Sequence, residues 1–152
     1  MKLLTDLLTN PCILACLTAW ATAQIVKAVI HTIVHKRFEL HRLFGDGGMP
    51  SGHTATVSAL ATMCGLTEGF DSAAFAVSAI LTVVVCRDAV GVRRETEKQA
   101  KLLNKVVDTL ENKGAELSNE PLNIFIGHTP LQIAVGAVIG IGTAVILYKF
   151  IG

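Results

Sequence analysis

Between Pro121 and Tyr148 the chain carries no Asp, Glu, Lys or Arg, and between Pro11 and Val34 it carries only Lys27. A helix rises 1.5 Å per residue, so an uncharged run of about 20 residues matches a hydrocarbon core roughly 30 Å thick. With 51% of its 152 residues apolar and 16% charged, the chain reads as an integral membrane protein of one domain. A net charge of +1 and the lack of any RNA- or DNA-reading motif argue against a nucleic-acid partner. The bilayer itself is the expected one.

Residues 1–9 form a short amphipathic lead-in, and Pro11, suited to a first helical turn, introduces a transmembrane helix over Cys12–Val34. Lys2, the apolar stretch after it and Ala21-Thr22-Ala23 imitate a secretion signal. Asp6 spoils the basic start, however, and a cut after Ala23 would halve the helix. Thr54–Leu66 and Ser72–Cys86 are shorter apolar runs, split by Thr67–Asp71. They read as short tilted spans or as a deep hairpin. From Val92 to Asn112, apolar residues at 102, 103, 106, 107 and 110 recur between charges, the period of an interfacial amphipathic helix. Gly114–Pro121 is a turn-rich break, and Pro130–Ile151 is the last span. Its Gly136-x-x-x-Gly140 pattern permits close helix approach and leaves a homo-oligomer open. The four cysteines form no CxxC pair and read as small buried hydrophobes.

If the two middle runs go out and back, segments 35–50 and 87–129 share one side of the membrane. They hold Lys36, Arg37, Arg42, Arg87, Arg93, Arg94, Lys98, Lys101, Lys105 and Lys113, against Lys2 and Lys149 on the other side. That asymmetry predicts a multi-pass cell-membrane protein with these segments in the cytoplasm.

Three motifs fall on that cytoplasmic side: GGMPSGHTA (47–55), RDAVGVRR (87–94) and GHTPLQ (127–132). Ser51 and Gly52 at a helix start offer unpaired backbone N–H groups and the positive end of the helix dipole, which suit a phosphate. Arg87, Arg93 and Arg94 supply forks matched to phosphate oxygens, with Asp88 placed to orient them. Lys27, a charge inside a span, is a further phosphate-binding candidate. Two histidines, His53 and His128, stand at helix mouths, where one can attack phosphorus and the other protonate the leaving oxygen. This scheme requires neither a metal nor another cofactor. His31 and His35, four apart and followed by His41 and Asp46, have a spacing that a metal accepts. A zinc hydrolase needs a third ligand at matching depth, and the chain has no HExxH.

Pro50-Ser51-Gly52-His53 is identical to the PSGH motif of the type-2 phosphatidic acid phosphatase superfamily, which also contains the vanadium-dependent haloperoxidases. The three motifs, in this order among apolar helices, resemble the divergent membrane branch of that superfamily over roughly residues 20–150. The resemblance implies an all-α, membrane-embedded phosphatase-like domain over residues 1–152. Its architecture would be about four embedded helices plus one interfacial amphipathic helix, a reduced phosphatidic acid phosphatase-like bundle. It also implies that Ser51 and Gly52 bind phosphate, that His53 is the general acid and that His128 forms a phosphohistidine. The general pattern of the superfamily is K-x6-RP, then PSGH, then SR-x5-H-x3-D, and this chain departs from it. Thirty-three residues separate Arg94 from His128, Gln132 replaces the aspartate that orients the histidine, and no K-x6-RP is present.

The expected function is metal-independent hydrolysis of a lipid phosphate monoester: phosphatidate, phosphatidylglycerophosphate, or a polyprenyl phosphate or pyrophosphate. A non-catalytic membrane protein that binds or transports lipid phosphate is the alternative, and reach of both histidines to one phosphate separates the two. A vanadate-dependent peroxidase would want a polar shell that this short chain lacks.

Overall fold

The computed structural model describes residues 2–36, 48–113 and 127–151. Among these the secondary structure is all-α: α1 (Lys2–Leu8), α2 (Pro11–His35), α3 (Gly52–Glu68), α4 (Ala73–Val90), α5 (Val92–Glu111) and α6 (Pro130–Ile151). Local chemistry sets the boundaries. Asn10 caps α2, its Oδ1 accepting from the N–H of Cys12 at 2.9 Å and of Ile13 at 3.2 Å, with Pro11 in the first turn. Ser51 and Ser72 cap α3 and α4 through their hydroxyl oxygens. Thr129 and Gln132 form a reciprocal capping box at α6, where Thr129 N–H donates to Gln132 Oε1 at 2.9 Å and Gln132 N–H to Thr129 Oγ1 at 3.3 Å. The turn-rich break expected at 114–121 lies outside the described residues.

Among the described residues, three helical stretches are long and apolar enough to cross a membrane: Pro11–His35, one within Ala73–Leu110, and Pro130–Ile151. The shorter α3 spans roughly 26 Å at helical rise. It packs against α2, α4 and α6 together and is the centre of the bundle. Its buried residues are mostly small, including Gly52, Ala55, Ser58, Ala59 and Gly65, which lets its neighbours come close. The apolar core at the far end gathers Ala15, Ala19, Ala59, Met63 and Ala144. Hydroxyls on the spanning helices, half-buried at Thr56 and Thr62 and outward-facing at Thr18, satisfy themselves on the preceding turn, each donating to the carbonyl four residues back at 2.7–2.9 Å. In a medium without water, that internal pairing is what makes them tolerable.

Gly136 and Gly140, read from sequence as a face for close helix contact, are covered by α3 of the same chain. A Cβ on Gly136 would lie 2.6 Å from the Ser51 carbonyl oxygen, and one on Gly140 would collide with that of Ala55. On α5 the charged face is knitted by Lys98–Glu95 (2.6 Å) and Lys101–Glu97 (2.5 Å). Its apolar residues Leu102, Leu103, Val106 and Leu110 stay exposed, as an interfacial helix requires.

Packing register fixes which residues share a level. Helix α2 runs antiparallel to α3, with Cys12 Sγ 3.6 Å from Cys64 Sγ at one end and Trp20 against Gly52 at the other. Helix α6 runs parallel to α3, so Gly136 meets Ser51 and Gly140 meets Ala55. Helix α4 returns antiparallel, its Thr82 hydroxyl donating to Val57 O at 2.9 Å. The starts of α3 and α6, the end of α4 and the middle of α2 therefore meet at one end of the bundle. Past Gln24, α2 continues for about 16 Å.

Candidate functional site

Ser51 is fully buried. Its N–H donates to the carbonyl of Gln132 at 3.2 Å, and its Oγ accepts from Thr54 N–H at 3.3 Å and Thr54 Oγ1 at 3.0 Å. The first motif is thereby tied to the third across two helix starts. Gly52 lies against α2: a Cβ there would stand 3.6 Å from Trp20 Cδ1 and 3.9 Å from Gln24 Nε2. Gly48 adopts φ +82°, a conformation that favours glycine, and a Cβ there would stand over the methylenes of Lys27, 3.7 Å from Cγ and 3.8 Å from Cδ. Lys27 is buried, 7% exposed, with its aliphatic stem under this loop. Gly47 and Arg42 lie outside the described residues.

The two histidines differ in setting. His53, on the first turn of α3, is exposed, whereas His128 is buried at 5% exposure. His128 does precede the α6 start, but it is buried there rather than open at the mouth. The N–H of His128 donates to Ala89 O at 3.1 Å, which fastens the third motif to the end of α4. Gly127 presses on α5, where a Cβ would come within 2.5 Å of Arg94 Cα. The Gly127 N–H donates to Glu97 Oε2 at 3.0 Å. Lys101 and that N–H together hold the Glu97 carboxyl below the ordinary carboxylate range.

The basic residues separate into distinct positions. Arg93 Nε donates to Asp88 Oδ2 at 2.9 Å, a partly exposed pair across the α4–α5 bend. Arg94 contributes its backbone to the seat of Gly127 and keeps an exposed side chain. Arg87 is the charged residue in an apolar groove of about 690 Å³ that also includes Val83, Cys86 and Val90. Gln132, expected to orient His128, has its Oε1 accepting from Thr129 N–H, and its carbonyl takes the Ser51 bond. His31 and His35 stack with ring centroids 4.2 Å apart, and among the described residues no group of three His, Cys, Asp or Glu side chains could hold a metal.

Trp20, Gln24 and Glu97, none of them part of the three sequence motifs, also belong to this region. Trp20, Gln24, Lys27 and His31 follow the 4-3-4 spacing of a single helix face. That polar stripe inside an apolar span was the available signal. Glu97 gave none, because its partner Gly127 lies 30 residues away.

Comparison with known proteins places the chain among relatives. The family model described as "Divergent PAP2 family" matches residues 8–143. The chain is 37% identical over 155 residues to the uncharacterized membrane protein YuiD of Bacillus subtilis (strain 168), covering 95% of this chain and 98% of that protein. No solved structure matches it.

Proposed function

The chain belongs to the divergent PAP2 family, and from that premise we propose that it hydrolyses a lipid phosphate monoester at the cytoplasmic face of the cell membrane. The observation that carries the reading is the Ser51–Gln132 hydrogen bond, which joins the PSGH segment to the segment of His128 at one end of the bundle. Lys27 lies under the same loop.

In the proposed reaction, Lys27, the N–H groups of Gly52 and His53, and at least one of Arg93, Arg94 and Arg87, turned toward the loop, hold the non-bridging phosphate oxygens. The imidazole of His128 attacks phosphorus. A P–N bond forms as the P–O bond to the lipid breaks, and His53 gives its proton to the departing oxygen. Water then attacks the phosphohistidine, His53 takes a proton from that water, and the P–N bond breaks to release inorganic phosphate. The burial of His128 suits a nucleophile held in one orientation, and the exposure of His53 suits a group that exchanges protons with water. The acyl or prenyl chains stay in the bilayer beside the exposed apolar faces of α2 and α4, where Ile25, Val29, Val83 and Val84 point outward.

The test is phosphate release by purified protein in detergent over phosphatidate, phosphatidylglycerophosphate, polyprenyl phosphate and polyprenyl pyrophosphate, without added metal. Release that vanadate inhibits and a chelator leaves intact is the expected result, because vanadate mimics the five-coordinate transition state. Tight binding of these lipids without any release would instead establish the non-catalytic lipid-phosphate protein.

A further inference from the structure

Gln24 is 8% exposed in the middle of a membrane span, and its Oε1 lacks a hydrogen-bond partner among the described residues. A leucine would fill this place without leaving a buried acceptor unsatisfied, so the amide calls for an explanation. It lies on the face of α2 that looks at the glycine loop, with Nε2 3.9 Å from the point where a Gly52 Cβ would stand. Lys27 is on the same face, under Gly48. His31, one turn further along that face, also has a buried Nδ1 without a partner among the described residues.

The two ends of the carboxamide differ in chemistry. The NH2 end faces the phosphate-binding loop and can donate to a phosphate oxygen. The oxygen can only accept, and a phosphate monoester near neutral pH offers mainly acceptors. A hydroxyl beside the phosphate satisfies both ends at once. We propose that Gln24 is a ligand-binding, specificity-determining residue of this pocket, and that the preferred ligand is a phosphate monoester carrying a neighbouring hydroxyl, as on a glycerol headgroup. This rests on the reading of the pocket as a phosphate site. The hydroxylated phosphate can come from a lipid headgroup or from a soluble polyol phosphate.

The single tryptophan of the chain, Trp20, stands 3.6 Å from the Gly52 Cβ position and reports occupancy directly. Stopped-flow emission of Trp20 would give the affinities of wild type, Gln24→Leu and Gln24→Met for three probes: phosphatidylglycerophosphate, phosphatidate and glycerol 3-phosphate. Thermal unfolding of each unliganded protein would be measured beside them. The wild type is expected to bind phosphatidylglycerophosphate at least tenfold tighter than phosphatidate. Both variants should bring the two lipids within twofold by weakening phosphatidylglycerophosphate, which loses both the phosphate and the hydroxyl contact, more than phosphatidate, which loses only the first, and should unfold at or above the wild-type temperature. Equal weakening for both lipids, undiminished discrimination, or a fall of several degrees in both unliganded variants would overturn the proposal, the last by making the amide structural. Glycerol 3-phosphate binding as tightly as the lipid supports the subsite with a soluble ligand, and binding a hundredfold weaker supports it with a lipid. Discrimination without phosphate release leaves the subsite standing and removes the hydrolase reading. Release without discrimination does the reverse.

Discussion

The carboxylate of Glu97 on α5 accepts the backbone N–H of Gly127 at 3.0 Å through Oε2 and the ammonium of Lys101 at 2.5 Å through Oε1. An interfacial helix thus holds the residue immediately before His128. The amphipathic insertion that distinguishes this chain from the general superfamily pattern has become part of the support for the third motif.

Because its partners depress the Glu97 pKa, the contact contributes fully above the ordinary carboxylate value and is lost as pH falls through the lower folded value. Glu97→Gln keeps an acceptor for Gly127 and should abolish this acid-side component of the unfolding temperature. Glu97→Ala should lose about 1 kcal/mol at neutral pH. Thermal unfolding between pH 3 and 7 separates the two variants. An unchanged acid profile in Glu97→Gln would remove the role of this carboxylate.

Helix packing around α3 makes a sharper steric prediction. Gly140→Ala drives a methyl group into the Ala55 carbonyl, whereas a Cβ on Gly142, half a turn away, meets nothing within 4 Å. Gly140→Ala should destabilise by about 1–3 kcal/mol through overpacking. Gly142→Ala should be neutral or stabilising by up to about 1 kcal/mol from helix propensity. Equal unfolding temperatures for the two variants in detergent would contradict the packing.

The histidines should separate by phenotype. His53→Ala removes an exposed side chain, so it should keep the wild-type unfolding temperature while losing about 10²–10⁴ in phosphate release. His128→Ala should abolish release and acid-labile phosphoenzyme together, with some loss of stability because the ring is buried. Rapid-quench trapping of phosphoenzyme is the measurement. Wild-type turnover in either variant would exclude the two-histidine scheme.

Sidedness can be read by thiol labelling in a background without the four native cysteines. Lys113→Cys, beyond α5, should resist an impermeant reagent in intact cells and react once the cells are opened. Glu68→Cys, at the exposed end of α3, should label in intact cells. Labelling of Lys113→Cys from outside would reverse the topology and leave the chemistry untouched.

Much of the fold is legible in the chain because its causes are local. Uncharged length determines what can cross a bilayer, and Asn10, Ser51, Ser72 and Thr129 start helices with hydrogen bonds reaching only two or three residues ahead. The period of α5 marks it as interfacial without reference to any other helix. Motif order and spacing carry the family signature. These features need no partner helix to be recognised.

The rest follows from register between helices, which no local spacing contains. Gly136 and Gly140 seat α6 on α3 at a particular height, and Cys12 and Trp20 do the same for α2. Only these contacts bring Gln24 to Gly52, Ser51 to Gln132 and Glu97 to Gly127. Burial is equally a tertiary property. His53 and His128 both stand at helix starts, yet His53 is exposed on the first turn of α3, while His128, its N–H bonded to Ala89 O at the end of α4, is buried. The sequence alone determined a membrane bundle with the motifs of a candidate phosphate site. Packing decided which side chains share that site, because contact between helices depends on how far one slides along another, and small residues far apart in the chain set that distance.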